Sequence, residues 1–152
     1  MHQVRLLLST ILVALVAWWL WPVPEPDWAH LSDQQWQQRL SAEQYHILRE
    51  GGTEPPGTGL YAKPGQPGTF RCAGCGQPLF ASQKQYDSGT GWPSFTQPLE
   101  GAVDHHQDNT FMFAQVEVRC GRCLGHLGHV FPDGPKPTGT RYCINSLALE
   151  LE

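Results

Sequence analysis

The residues with chemistry in them are mostly cysteines and histidines. Four of the five cysteines fall into two C-x-x-C pairs: Cys72 and Cys75 in "RCAGCG", and Cys120 and Cys123 in "RCGRCLG". Glycine in or just after each turn lets two thiolates face one ion, and two such knuckles complete a tetrahedron around Zn²⁺. A Cys₄ set leaves no open coordination position, so the expected ion is structural, one per chain. The gap between the knuckles, residues 76–119, is longer than in a simple zinc ribbon. The ion would therefore pin two parts of one domain together. Disulfides and redox dithiols are the competing readings, and four cysteines allow three connectivities. One zinc ion explains all four thiols at once.

That leaves Cys143, in "HLGHVFPDGPKPTGTRYCINS", downstream of His126 and His129. A free cysteine of pKa ~8.5 is only slightly ionised at neutral pH, and a neighbouring cation lowers that pKa. Arg141 at i−2 and Asn145 at i+2 share the face of Cys143 if the segment is a strand. Cation, thiol and amide then form one patch, with a lowered thiol pKa expected. A buried, inert core cysteine is the plainer reading, and the histidines can equally be structural or spare metal ligands. Trp92, bracketed by Gly and Pro in "YDSGTGWPSF", is either core or the wall of a pocket. Aromatic walls suit a small apolar group such as a methyl on sulfur.

What must position these residues is a turn-rich chain. Of 152 residues, 29 are Gly or Pro and only 16 % are charged, which favours short strands over a helical bundle. A hydrophobic share of 40 % allows one modest core, so extra fastening helps a fold of this size. The net charge of −4, with no basic run, excludes a nucleic-acid binder. Ser32-x-x-Gln35 and Ser41-x-x-Gln44 match the capping box, predicting helices over about 33–40 and 42–50, with Gly51-Gly52 as the stop. Trp36 and Leu40 would face inward from the first, Tyr45 and Leu48 from the second. Residues 53–68, rich in Gly and Pro, read as loop. Strands are expected in "TFRC", "PLFAS", "TFMFAQVEVRC", "GHVF" and "RYCINSLALEL". The predicted fold class is mainly β, with antiparallel strands behind a short helical lead-in.

The N-terminus is different material. Arg5 precedes an apolar run from Leu6 to Trp21, closed by Pro22 and followed by Glu25 and Asp27. As a helix, Val4–Trp21 spans roughly 27 Å, slightly short of a ~30 Å hydrocarbon core. Trp18, Trp19 and Trp21 suit the interface, and the charges place the N-terminus inside. The expectation is an uncleaved membrane anchor (residues 1–22), a linker (23–30) and a working domain (31–152) outside the cytoplasm. If the chain is bacterial, that is the periplasmic side. A cleaved signal peptide, leaving a secreted or periplasmic domain, is the rival.

"YDSGTGWPSF", "RCGRCLGHLGHVFPDGPKPTGTRYCINSLAL" and "RCAGCGQPLF" resemble the methionine sulfoxide reductase B family. The similarity runs from about Leu40 to Leu149, with "YHILREGGTEPP" in the lead-in. The resemblance implies two antiparallel sheets, a Cys₄ zinc site, and reduction of the R-epimer of methionine sulfoxide in oxidised proteins. It implies Cys143 as nucleophile, with His126 and His129 binding and protonating the sulfoxide oxygen. Trp92 would receive the methyl group, and Arg141 and Asn145 would line the site. Many members carry a resolving cysteine where this chain has Thr90. With four cysteines on zinc, the expectation is a one-cysteine cycle completed by an external thiol or thioredoxin-like reductant. Gln115 stands where the family often has Arg, and no function follows from it. A monomer is expected. The rivals are a non-catalytic binding module and a thiol hydrolase; the latter lacks an evident residue to orient the histidine.

Overall fold

A computed structural model describes residues 24–108 and 115–152. The expected anchor, residues 1–22, lies outside the described residues. Among the described residues, no helix is long and apolar enough to cross a membrane.

Both predicted capping boxes form. Ser41 Oγ accepts the Gln44 N–H and Gln44 Oε1 accepts the Ser41 N–H, each at 3.1 Å. This satisfies donors that the first turn of a helix otherwise leaves orphaned. The first helix, α1, is shorter than expected, Asp33–Gln37. The chain must turn to present Ser41 as the next cap, and Leu40 N–H still reaches the Trp36 carbonyl at 3.0 Å. Helix α2 runs Ala42–Glu50 as predicted and ends on Gly51, whose φ of 70° needs no Cβ to be accommodated. Trp36, Leu40, Ile47 and Leu48 are buried, while Tyr45 packs at the core's edge. Arg49 ties this lead-in to the second knuckle: its guanidinium lies 4.9 Å over the Trp36 ring and donates to the Cys123 carbonyl at 3.1 Å.

The strands form two antiparallel sheets. Strands β1 (Thr69–Cys72), β2 (Pro78–Ala81) and β9 (Leu149–Leu151) make a small sheet in the order β2-β1-β9. The large sheet contains β3 (Gln85–Tyr86), β4 (Ser94–Phe95), β5 (Val103–Asp108), β6 (Gln115–Cys120), β7 (His126–Phe131) and β8 (Arg141–Ile144). Its order is β3-β4-β8-β7-β6-β5. Phe70 and Phe80 from the small sheet meet Phe95 of the large one, at ring distances of 5.1 and 4.3 Å. All three rings are fully buried, so this contact is the apolar joint between the sheets.

Two expected strands come out differently. "RYCINSLALEL" divides after Ile144 into β8 and β9, separated by a 3-10 turn over Ser146–Ala148. Ala148 N–H bonds back to the Asn145 carbonyl at 3.2 Å, and the chain steps from the large sheet to the small one. Of "TFMFAQVEVRC", β6 covers Gln115–Cys120; residues 109–114 lie outside the described residues. Strand β5, "VDHHQD", carries no apolar alternation. It is an edge strand held by β6 alone, with His105, His106 and Gln107 exposed.

Candidate active site and metal centre

The knuckles converge as their spacing predicts. Each closes by the same turn: Gly76 N–H bonds the Cys72 carbonyl at 2.8 Å, and Leu124 N–H bonds the Cys120 carbonyl at 2.9 Å. Residues in these equivalent places are left-handed, Gly76 at φ 72° and Leu124 at φ 57°. Cys72 ends β1 and Cys120 ends β6, so the cluster joins the two sheets. Its four sulfurs lie within 4.8 Å of one another, Cys72 and Cys123 at 3.7 Å and Cys75 and Cys120 at 3.5 Å. A tetrahedral Zn–S bond of ~2.3 Å requires S···S edges of about 3.8 Å. The donor set and its spacing therefore fit zinc. All four cysteines are buried, and none of the five is in a disulfide. Thiol hydrogen bonds drive Cys120 far below the ordinary thiol pKa and Cys123 far above it. Such a cluster shares negative charge that a dication would neutralise.

Cys143 sits in the middle of the large sheet. Its register partners are His129 on β7 and Ser94 on β4. Gly128 permits the close approach of β7, since a Cβ there would lie 2.0 Å from the Cys143 carbonyl oxygen. Beside the thiol is a cavity of about 150 Å³, lined by Thr53, Trp92, His129, Phe131, Cys143 and Asn145 among others. A void of that size can hold a benzene-sized group. The structure thus gathers Trp92, His129, Cys143 and Asn145 around one space.

His126 and Arg141 stand elsewhere. His126 is buried behind His129, ring centroids 5.4 Å apart, and does not line the cavity. Its Nδ1–H donates to Glu117 Oε1 at 2.7 Å. Glu117 is also the register partner of His129. A carboxylate therefore does orient His126, against whose ring His129 packs, although none was evident in sequence. Arg141 makes a two-point pair with Asp133, both contacts at 2.9 Å, and its guanidinium lies 4.5 Å from the Phe131 ring centre. It lines a neighbouring groove of about 370 Å³ with Tyr86, Ser88, Thr90 and Asp133.

The expected lowering of the Cys143 pKa is not what the environment gives. Burial pushes the thiol above its ordinary value, and this outweighs the Arg141 charge and the hydrogen bonds from Thr90 and Arg141 that favour the thiolate. Asp133 adds a further push upward while it occupies the guanidinium. The protonated thiol is thus the resting form at neutral pH.

Glu54 is a second residue that sequence reasoning passed over. It is buried, and its carboxylate accepts the N–H groups of Ser146 (2.6 Å) and Leu147 (3.0 Å). Its own N–H donates to Asn145 Oδ1, and its carbonyl accepts the Trp92 indole N–H, both at 3.0 Å. Asn145 in turn donates to the Leu127 carbonyl at 3.0 Å. One residue thus fixes both the Trp92 wall and the Asn145 corner. A lone acid in a Pro/Gly loop carries no periodic signal; its partners lie 38 residues away at Trp92 and 91, 92 and 93 away at Asn145, Ser146 and Leu147.

A half-buried thiol beside an imidazole and an aromatic wall, on sheets held by a thiolate cluster, belongs to the class of thiol-dependent enzymes. Comparison with known proteins narrows the class. The SelR domain model matches residues 40–152. A peptide methionine sulfoxide reductase MsrB from Agrobacterium fabrum is 53 % identical over 122 residues, 80 % of this chain and 90 % of that protein. The MsrB of Saccharophagus degradans is 53 % identical over 127 residues, covering 83 % and 95 % of the two chains. That of Bradyrhizobium diazoefficiens is 56 % identical over 122 residues, covering 80 % and 88 %. The chain belongs to the MsrB family of peptide methionine sulfoxide reductases.

Proposed function

We propose that this reductase acts on the R-epimer of methionine sulfoxide in oxidised proteins, with Cys143 as its single redox-active thiol. The observation that carries the reading is the 150 Å³ cavity, which places Cys143 and His129 against the Trp92 and Phe131 walls. The substrate's methyl group fits among the aromatic rings, which leaves its sulfur facing Cys143 and its oxygen facing His129. Sulfoxide sulfur is electrophilic, but its oxygen leaves only when protonated. His129 supplies the acid, in an orientation set by His126 and Glu117. In balance, the sulfoxide oxygen passes to Cys143, the substrate sulfur gains two electrons, and methionine leaves with Cys143 as sulfenic acid. An external thiol then attacks that sulfur and expels water, and a second thiol releases the mixed disulfide.

Support for the one-cysteine cycle is that the other four thiols are buried together at the metal cluster. When bound there, zinc supplies charge neutralisation and a cross-link between the sheets, and takes no part in the reaction. A thioredoxin-like protein or a small dithiol suits the reductant role. Residues 1–22 are proposed to anchor the domain on the outer face of a membrane, on the strength of the apolar run Leu6–Trp21. N-terminal sequencing of the mature protein from membranes tests this; a start beyond Ala17 overturns it. Turnover of an R-sulfoxide peptide by Cys143→Ser tests the catalytic reading. Loss of at least ~10³-fold with the fold intact is expected, and retained activity overturns it. A single turnover without reductant should yield sulfenic acid at Cys143, and an intramolecular disulfide would refute the one-cysteine cycle.

A further inference from the structure

The thiolate cluster carries a charge that water reaches poorly. Four thiolates around one divalent ion leave two net negative charges. All four sulfurs belong to buried cysteines. The lead-in helices close over them with apolar side chains. A Cβ at Gly74 would lie 3.3 Å from the Trp36 ring and 3.5 Å from Leu48. One at Gly125 would lie 3.2 Å from Leu48 and 3.3 Å from the Cys123 sulfur. Charge under an apolar cover must be offset by groups of the protein itself.

Two guanidinium groups are placed to do so. The knuckles match position by position, Cys72 with Cys120 and Cys75 with Cys123. In each, an arginine holds the carbonyl of the second cysteine. Arg122 Nη1 donates to the Cys75 carbonyl at 3.2 Å, and Arg49 Nη1 donates to the Cys123 carbonyl at 3.1 Å. Arg122 lies inside the second knuckle and bonds the first; Arg49 lies in the last turn of α2 and bonds the second. Two other arginines are close by, but their charges are countered elsewhere. Arg71 donates to the Gly76 carbonyl at 3.0 Å and is paired with Glu152, and Arg119, next to Cys120, is paired with Asp104. Among the described residues, no carboxylate is paired with Arg49 or Arg122.

We propose that Arg49 and Arg122 form a two-point cationic clasp on the metal centre, which offsets the two net charges of the zinc-loaded cluster and slows both loss of the ion and attack on its thiolates. They are positioning residues: they hold the backbones of ligand cysteines and do not line the cavity beside Cys143. The proposal goes beyond the reductase reading and rests on the fit of the cluster to zinc. A guanidinium bonded to a ligand's own peptide sits within one residue of the sulfur, and its charge makes that thiolate less reactive toward electrophiles. The same bond tethers the carbonyl, so the second cysteine of a knuckle cannot swing away without breaking a charge-assisted hydrogen bond. Arg122 adds a cross-tie between the knuckles, and Arg49 a tie to the helix that covers them.

The test is the rate of zinc release from the loaded full chain in excess N-ethylmaleimide, read by the absorbance of a chromogenic chelator. It needs no turnover, so its failure is distinct from failure of the catalytic reading. Metal content is measured first, and a chain without zinc overturns the proposal together with the metal centre. Arg122→Gln should release zinc about tenfold faster. Its circular dichroism spectrum should match the parent's, because Arg122 is exposed. Arg122→Lys should stay within about twofold of the parent, since it keeps the charge and the contact runs through one nitrogen. Arg49→Gln should act in the same direction, and the double variant should release faster than either. Arg119→Gln, one residue from Cys120 but held by Asp104, should release at the parent rate. Unchanged release in Arg122→Gln overturns the clasp. So does an equal acceleration in Arg119→Gln, or an Arg122→Lys chain as fast as Arg122→Gln. Arg49 also stacks on Trp36; should its variant misfold, the Arg122 and Arg119 variants decide alone.

Discussion

At Cys143, burial and charge act in opposite directions. The thiol is held above its ordinary pKa chiefly by burial, against Arg141 and Thr90. Alkylation of Cys143 should therefore rise with pH through a midpoint above that of free cysteine. Asp133 occupies the guanidinium and adds repulsion of its own. Asp133→Asn should free Arg141 toward the sulfur and move that midpoint down, which the same titration checks. The linkage has a definite sign: a raised thiol pKa stabilises the fold below the unfolded-state pKa, and this is lost as pH rises through the folded value. His129→Asn should lower kcat by ~10²–10⁴-fold with little change in KM, if His129 protonates the leaving oxygen. Cys143 itself was legible because it is left over once the knuckles are paired. The direction of its pKa was not, because adjacency in sequence reveals a neighbouring charge but not the depth of burial.

Among the elements, the junction between β8 and β9 depends on Glu54. Its carboxylate holds the N–H groups that the 3-10 turn would otherwise leave without partners. Glu54→Ala removes a buried acceptor of two donors and should cost about 2–3 kcal/mol in urea unfolding. Glu54→Gln should cost less. Glu54 meets Asn145 and Trp92 through its backbone N–H and carbonyl, which both variants keep, so KM should change far less than stability. Both helix starts were legible to the residue, because a capping box is a local code: Ser41 and Gln44 satisfy each other without distant help. The early end of the first helix at Gln37 was not. Strands β3, β4 and β5 were not. The first two are two residues long, and β5 is a polar edge whose pairing is set by β6 rather than by its own pattern. Glu117 escaped notice for a related reason, since its meaning comes from His126 across the β6–β7 ladder.

At the scale of the whole molecule, two joints among the described residues hold the sheets together, one apolar and one ionic. The apolar joint is the Phe70–Phe95–Phe80 stack; the ionic one is the thiolate cluster between β1 and β6. Purified protein should contain about one zinc per chain, checked by metal analysis. Its removal by a strong chelator should lower the melting temperature and expose all four cysteines to thiol reagents. Acid should do the same, because thiolates must be unprotonated to bind the ion. The C-x-x-C spacing made this joint the most legible long-range feature of the chain. The aromatic joint was hidden, since nothing in "TFRC", "PLFAS" or "WPSF" says that their phenylalanines meet.

The first knuckle and Cys143 are connected through β9. Cys72 pairs with Leu149, Ala73 N–H bonds the Ala148 carbonyl at 2.9 Å, and Leu149 lies six positions after Cys143. Whatever loosens the metal end of β1 pulls on the segment that carries the Cys143 sulfur. The repair of oxidised methionine thus hangs on thiolates that are themselves oxidisable. A mild oxidant consumes one equivalent of Cys143 and is undone by the next reductant. A strong one that reaches the cluster releases the ion and silences the molecule, so the damage this protein can answer has a ceiling set by its own fastening.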